Sequence, residues 1–141
     1  MRIVNRVAAL AIAALAIGAW AQEDQNLDAR PATAAAEAWL EHVDLGRYGD
    51  SWEAAAATFK EAFPRVRWEA SIQDARAKLG VVVKRKLRSA RSATELPNAP
   101  PGEYVVIEND TRFENRALST ETVTLMKQKD GSWRVAGYFI H

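Results

Sequence analysis

The chain has 141 residues, with 19 basic and 18 acidic side chains, a formal charge of +1 and no cysteine. This length suits a single domain with its own buried core. The lack of cysteine excludes disulfides, thiol catalysis, cysteine-ligated metals and a lipidated cysteine anchor. The near-neutral overall charge points to no particular class of partner.

Residues 1–21 have the organisation of a secretory signal peptide. Two arginines precede an uncharged, largely apolar run, and Ala19 and Ala21 are small residues at the positions that a signal peptidase reads. The apolar run is short for a membrane span of roughly 20 residues, which favours a cleaved signal over an anchor. We therefore expect an exported bacterial protein, periplasmic or secreted, whose mature chain starts at Gln22.

Three helical segments are predicted after a loose polar leader at residues 22–29, within one domain over residues 30–141. Apolar side chains recur in them at helical spacing, and glycine or proline follows each segment. Asp50 is predicted to cap the second helix, with Glu53 as its capping-box partner. The predicted helices cover residues 30–45, 50–63 and 66–79.

Four strands are predicted beyond Gly80, separated by a proline-rich loop and two short turns. Their predicted bounds are residues 81–93, 104–113, 117–128 and 132–140. Sequential strands with short connections pair antiparallel. The predicted fold class is therefore α+β, with about three helices packed on a curved, cone-like, four-stranded antiparallel sheet.

The last two strands are predicted to form a hairpin with a three-residue loop, residues 129–131. Gly131 would adopt the left-handed conformation, and Gln128 would pair with Ser132. This register predicts that Phe139 shares a face with the apolar side chains of the hairpin, and that Tyr138 lies on the opposite face. Gly137 predicts a bulge or bend in the last strand.

Several motifs are typical of one known family. The most specific are Pro101-Gly102-Glu103-Tyr104 and the ending from Asp130 to Phe139; others are Trp39-Leu40, Asp44, Trp52, Phe59-Lys60, Trp68, Arg76, Leu79-Gly80, Phe113 and Glu121-Thr122-Val123. Across nearly all of the mature chain, the sequence resembles a family of small secreted bacterial proteins named domain of unknown function 4019. Pro101 departs from the acidic residue expected before the glycine. The family implies no activity and no catalytic residue.

The element order is also similar, more loosely, to the nuclear-transport-factor-like and cystatin-like α+β cones. Those folds host isomerases, dehydratases and pure binding modules, so the similarity selects no function by itself. It implies a groove between the helices and the sheet. In this chain Trp52, Tyr104 and Tyr138 are the candidate ligand-binding residues for such a groove.

Catalytic and metal-binding motifs are absent from the sequence. His42 and His141 are the only histidines, and they form no recognisable ligand spacing. We therefore expect no metal site and no cofactor. A buried carboxylate with a raised pKa could still serve as a general base. Asp44, Glu53 and Glu121 are the candidates, although a helix end, a helix cap and a sheet-surface charge would also explain them.

A basic segment is the sharpest polar feature of the chain. Residues 76–91 contain seven basic side chains and no acidic one. Five of these side chains are the candidate patch for an anionic partner: Arg76, Lys84, Arg85, Lys86 and Arg88. Strand alternation predicts Lys84, Lys86 and Arg88 on one face, with Arg85 and Arg91 on the other. Pairing with acids on neighbouring strands, Glu121 among them, is the alternative interpretation.

These observations favour an exported, non-enzymatic protein that binds a small ligand or an envelope partner between its helices and sheet. One alternative is a small lyase or isomerase using a buried carboxylate. Another is an envelope-interaction protein that docks through the basic strand, residues 84–91, onto a phospholipid, a lipopolysaccharide phosphate or an acidic glycan. Export excludes nucleic acid as the partner, and a homodimer formed through the open face of the sheet is compatible with each hypothesis.

Overall fold

The computed structural model describes residues 29–141. The predicted signal peptide, the cleavage before Gln22 and the predicted leader up to residue 28 lie outside the described residues. In this part of the chain four helices precede four strands. Helix α1 covers residues 29–44, and α2, α3 and α4 span Tyr48–Ala54, Ala57–Ala62 and Arg65–Leu79. Strands β1, β2, β3 and β4 span Val82–Ala93, Tyr104–Phe113, Arg116–Lys127 and Trp133–Ile140.

The four strands form one antiparallel sheet in the order β1-β2-β3-β4, which confirms the predicted α+β class. Alternate side chains of the sheet join the helices in one hydrophobic core, and we call this side of the sheet the inner face. Its central members are Val105, Ile107, Val123, Leu125 and Val135. The opposite side, the outer face, carries no helix among the described elements.

Aromatic rings fill the space between the helices and the inner face. Trp39, Phe59, Trp68 and Tyr138 pack with ring centroids 4.9–6.4 Å apart. The indole nitrogens are satisfied as well, because Trp39 donates to the Ser51 carbonyl oxygen at 2.8 Å and Trp68 donates to the Ser51 hydroxyl at 2.9 Å. This part of the helix–sheet boundary is therefore solid core.

The predicted second helix is divided into α2 and α3. The backbone is extended at Ala55 and Ala56, and the Ala56 N–H donates to the Val135 carbonyl oxygen of β4 at 2.8 Å. The chain thus exchanges an intrahelical bond for one that fixes the helices to the sheet. The predicted cap was wrong, because α2 begins at Tyr48 and places Asp50 within its first turn.

The closing hairpin has the predicted loop. The Gln128 N–H donates to the Ser132 carbonyl oxygen at 2.7 Å, and Gly131 has a φ of +84°. The predicted bulge is also present, since Leu125 pairs with Val135 but Thr124 pairs with Gly137. The extra residue reverses the faces beyond it. The predicted faces of Tyr138 and Phe139 were therefore wrong: Tyr138 points into the core, and Phe139 is exposed on the outer face.

Candidate functional site

Glu121, on the inner face of β3, is completely buried, with 0% of its surface exposed. Its carboxylate accepts hydrogen bonds from Arg85 Nε at 2.6 Å, from Thr111 Oγ1 at 2.5 Å and from the Tyr138 hydroxyl. A buried carboxylate without such partners would be strongly destabilising. The three donors come from β1, β2 and β4, so Glu121 holds together all four strands.

Arg85 connects this carboxylate to the helices. Its Nη1 and Nη2 donate to the two oxygens of Asp44, the last residue of α1, at 2.7 and 3.0 Å. On α4, Arg76 is only 7% exposed and donates to the same Asp44 at 2.9 Å. The charges therefore alternate along the contacts from Arg76 through Asp44 and Arg85 to Glu121, and they sum to zero. We call this set the buried ion network after its two buried members, Arg76 and Glu121; the side chains of Arg85 and Asp44 remain 20% and 29% exposed.

Burial and ionic contacts in and beside the network shift the pKa values of Asp44, Arg85 and the neighbouring Tyr138. Burial alone would raise the pKa of Asp44, but the hydrogen bonds and charges of Arg85 and then Arg76 outweigh it and leave that pKa below its ordinary value. Burial opposes the charge of Arg85, yet its two carboxylate partners raise its pKa. Burial and then the Glu121 charge raise the pKa of Tyr138 well above its ordinary value.

The three candidate carboxylates are not gathered in one place. Asp44 and Glu121 share Arg85, whereas Glu53 is exposed on α2 and pairs with Arg65 at 2.9 Å. Glu53 lines a groove of about 610 Å³, together with His42 and residues of the closing hairpin. A free, buried carboxylate of the kind that a general base requires is therefore not found among these three.

The three candidate aromatic residues also lie in different surroundings. Tyr138 packs in the core, and Trp52 donates from its indole nitrogen to the Phe63 carbonyl oxygen at 2.7 Å, with Lys60 over its ring. Tyr104 is beside Val105 in the strand and so points to the outer side, where its hydroxyl donates to the Pro100 carbonyl oxygen at 2.5 Å. The structure does not bring the three rings into one pocket.

The candidate basic patch divides between the two sides of the sheet. Arg76 and Arg85 belong to the buried ion network. The ion pair of Arg85 with Glu121 agrees with the alternative interpretation, in which the basic strand pairs with acids of other strands. Lys84, Lys86 and Arg88 lie on the outer face, where they line a groove of about 700 Å³. Strand β2 and the start of β3 contribute two more cations to this groove. We call this the cationic groove and define it by Lys84, Lys86, Arg88, Arg112 and Arg116.

Most of the charge in the cationic groove is unneutralised. Arg88 pairs with Asp110, the one acidic side chain that lines the groove. Within residues 29–141, the other four cations make no salt bridge. Lys84 even lies directly opposite Arg112 across β1 and β2. Like charges at such positions are destabilising, so this arrangement is not explained by the stability of the sheet.

Sequence reasoning missed Arg112 and Arg116. The predicted turn at residues 114–116 indicated that Arg112 and Arg116 would lie at the same end of the sheet. Their position beside Lys84 and Lys86 depends on the register of β1 against β2, and a long loop separates these two strands in sequence. That register also corrects Arg91. A shift between Leu87 and Ser89 places Arg91 opposite Val106 of the outer face, on the same side as Lys84 and Lys86.

Two wider observations apply to residues 29–141. None of the helices there combines the length and apolar character needed to cross a bilayer. In the same range of residues, no three histidine, aspartate or glutamate side chains lie close enough together to hold a metal ion.

Comparison with known proteins identifies the family. Residues 35–138 match the family model described as "Protein of unknown function (DUF4019)", which covers most of the chain. The protein therefore belongs to the DUF4019 family, as its motifs predicted. Searches of curated proteins and of solved structures gave no match.

Proposed function

We propose that the protein is an exported binding protein whose cationic groove holds an anionic component of the cell envelope. One observation carries this proposal: four cations without carboxylate partners among the described residues converge on one groove of the outer face. Clustered charge of one sign raises the local concentration of oppositely charged partners. Arginine and lysine also bind phosphate, sulfate and carboxylate groups through charge-assisted hydrogen bonds.

Binding at the outer face has better support than a site between the helices and the sheet. The open groove of about 610 Å³ between the helices and the closing hairpin carries Asp50, Glu53 and Asp130, which would repel an anion. Deeper inside, the space is occupied by packed aromatic rings, and the cavity lined by Leu40, Arg85 and Ile107 measures only about 110 Å³. Ligand pockets usually measure roughly 300–1,000 Å³. Glu121 is already held by three donors, so a binding role is preferred to the lyase or isomerase alternative. The similarity to cone folds remains compatible with a binding module.

The export part of the proposal is tested by expressing the full chain in a Gram-negative host and fractionating the cells. We expect the protein in the periplasmic or secreted fraction, with an N-terminus at Gln22, because residues 1–21 have the pattern of a cleaved signal. Recovery of the uncleaved chain from the cytoplasm or the membrane fraction would contradict export.

The binding part is tested by retention on immobilised heparin, a soluble polyanion, along a salt gradient. Changing Lys84, Lys86 and Arg112 together to Gln is expected to lower the eluting salt concentration strongly, because exposed charge attraction is screened by salt. The matched control changes Arg67, Lys78 and Lys129 to Gln, three exposed cations outside the groove. Equal loss of retention in both triple variants would show that no particular site binds the anion.

A further inference from the structure

The apolar neighbours of the cationic groove indicate which anionic partner it takes. Leu118 lines the groove and is 88% exposed, and Phe139 is 60% exposed on the same face. Single exposed apolar side chains are common on protein surfaces. They stand out because Leu118 lines the groove with the unpaired cations, and Phe139 lies on the same face, which the described helices leave uncovered.

The register shows that these groups form one continuous corner of the outer face. Lys84 lies opposite Arg112 and Lys86 opposite Asp110, while Asp110 lies opposite Thr120 of β3. Thr120 in turn exchanges two backbone hydrogen bonds with His141, at 3.0 and 2.9 Å. The His141 ring stacks on Phe139, with centroids 6.4 Å apart. Cations therefore occupy the β1–β2 side of the corner, and aromatic rings occupy the β4 side.

We infer that this corner docks onto the surface of an anionic phospholipid bilayer; the inference rests on the anion-binding role proposed above. The charge complementarity comes from the cations, which would face the lipid phosphates. Leu118 and Phe139 would enter the boundary between the headgroups and the acyl chains. Peripheral membrane proteins combine basic and apolar side chains on one surface in this way. A soluble acidic glycan would use the cations but would leave Leu118 without a role.

The inference is tested by co-sedimentation of the exported protein with two kinds of vesicle. One is phosphatidylcholine alone, and the other is phosphatidylcholine mixed with phosphatidylglycerol. We expect salt-sensitive binding to the mixed vesicles only. The groove variant with Lys84, Lys86 and Arg112 changed to Gln should bind about 100-fold more weakly, since each cation near an anionic surface contributes about fivefold in affinity.

The apolar side chains supply the discriminating variant. Changing Leu118 and Phe139 to Ser is expected to weaken binding to the mixed vesicles about tenfold or more, because apolar burial at the interface is lost. Retention on heparin should remain that of the unchanged protein. The matched control changes Leu45 and Val66 to Ser, which are 57% and 78% exposed on the helical side. The single change Leu118→Ser serves if the double variant does not fold.

The outcomes separate this inference from the proposed function. Site-specific retention on heparin without binding to the mixed vesicles would overturn bilayer docking, leave anion binding in place and favour a soluble acidic glycan. Unaltered vesicle binding by the Leu118 and Phe139 variants would overturn the insertion of these two side chains, on which the choice of a bilayer over a soluble anion depends. Absence of both heparin retention and vesicle binding would overturn the proposed function together with this inference.

Discussion

Arg85 shows how one side chain can connect two layers of the molecule. All three of its nitrogens donate to carboxylates. Nε donates to Glu121 in the sheet, Nη1 donates to Asp44 at the end of α1, and Nη2 donates to both. Only a planar guanidinium offers donors in several fixed directions at once, so lysine would not replace it. The position therefore serves the fold, although it lies in the middle of the basic segment.

Glu121→Gln is expected to lower the free energy of unfolding by up to about 3–5 kcal/mol, because it removes a fully buried negative charge that compensates the partly buried Arg85. Urea denaturation followed by tryptophan fluorescence measures the change. Glu53→Gln is the control, since its ion pair with Arg65 is exposed and should contribute at most about 1 kcal/mol. Equal, small effects of both substitutions would show that the buried ion network does not stabilise the fold.

Protonation of Asp44 should make the free energy of unfolding depend on pH. Its pKa is lower in the folded state than the ordinary value of 3.8, so the unfolded chain takes up the proton first as the pH falls. The stabilisation that ionised Asp44 provides is therefore complete at pH values above its pKa in the unfolded chain. It is lost as the pH falls through the lower pKa of Asp44 in the folded protein. We expect the stability difference between the unchanged protein and Asp44→Asn to be constant near neutral pH and to shrink below about pH 4. A difference that stays constant down to pH 2 would contradict this.

At the scale of elements, the break between α2 and α3 is a docking point for β4. Ala56→Pro should destabilise the fold by about 1–3 kcal/mol, because it removes the N–H that bonds the Val135 carbonyl oxygen. The φ of −65° at Ala56 already suits proline, so backbone strain does not contribute. Ala57→Pro, at the first position of α3 where proline is tolerated, is the control. Thermal unfolding measures the stability of both variants. An equal loss of stability in the two would contradict a stabilising role for the hydrogen bond between Ala56 and Val135.

The opposed pair Lys84 and Arg112 predicts a conflict between stability and binding. Lys84→Gln is expected to raise the free energy of unfolding by about 0.2–1 kcal/mol through relief of repulsion, while it weakens retention on heparin. Lys86→Gln is the matched control, because Lys86 lies opposite Asp110 and its loss should not stabilise the sheet. Urea denaturation and salt-gradient elution give the two readouts. A Lys84 variant that is less stable than the unchanged protein would contradict the repulsion.

Local sequence patterns were sufficient to predict most of the helices and strands. They were not sufficient to predict the features that depend on how distant parts of the chain pair. The helices, the strands and the loop at Gly131 follow from periodicity and turn chemistry, and the α+β class follows from their order. Gly137 signalled the bulge, yet the exchange of Tyr138 and Phe139 between faces depends on which residue is extra, and that is set by pairing with β3. Likewise, the sequence gives no sign that α2 ends where Ala56 meets β4.

The candidate site was predictable to a similar degree. The basic segment contributes Lys84, Lys86 and Arg88 to the cationic groove. Alternation placed Arg85 on the face opposite Lys84 and Lys86, but it did not show which face is turned to the core or that Arg112 joins the outer one. That division requires a buried carboxylate within hydrogen-bond reach of Arg85, and Glu121 comes 36 positions later in the chain. The register between β1 and β2, joined across the proline-rich loop, was not encoded in any local motif.

At the scale of the whole molecule, charge is separated by the sheet. The inner side holds a neutral network of two acids and two arginines, which stabilises the contact between helices and strands. The outer side holds the cationic groove, although the formal charge of the chain is only +1. A nearly neutral protein thereby presents one strongly cationic surface, and we assign binding to that surface rather than to the interior.

The central claim is that anions bind at the cationic groove. An NMR titration of the ¹⁵N-labelled protein, residues 22–141, with a heparin oligosaccharide tests it most directly. We predict that shifted backbone amides will cluster at residues 84–88, 110–112 and 116–120. The groove variant with Lys84, Lys86 and Arg112 changed to Gln should lose these shifts. Shifts concentrated around His42, Glu53 and Trp133, or spread evenly over the molecule, would contradict the claim.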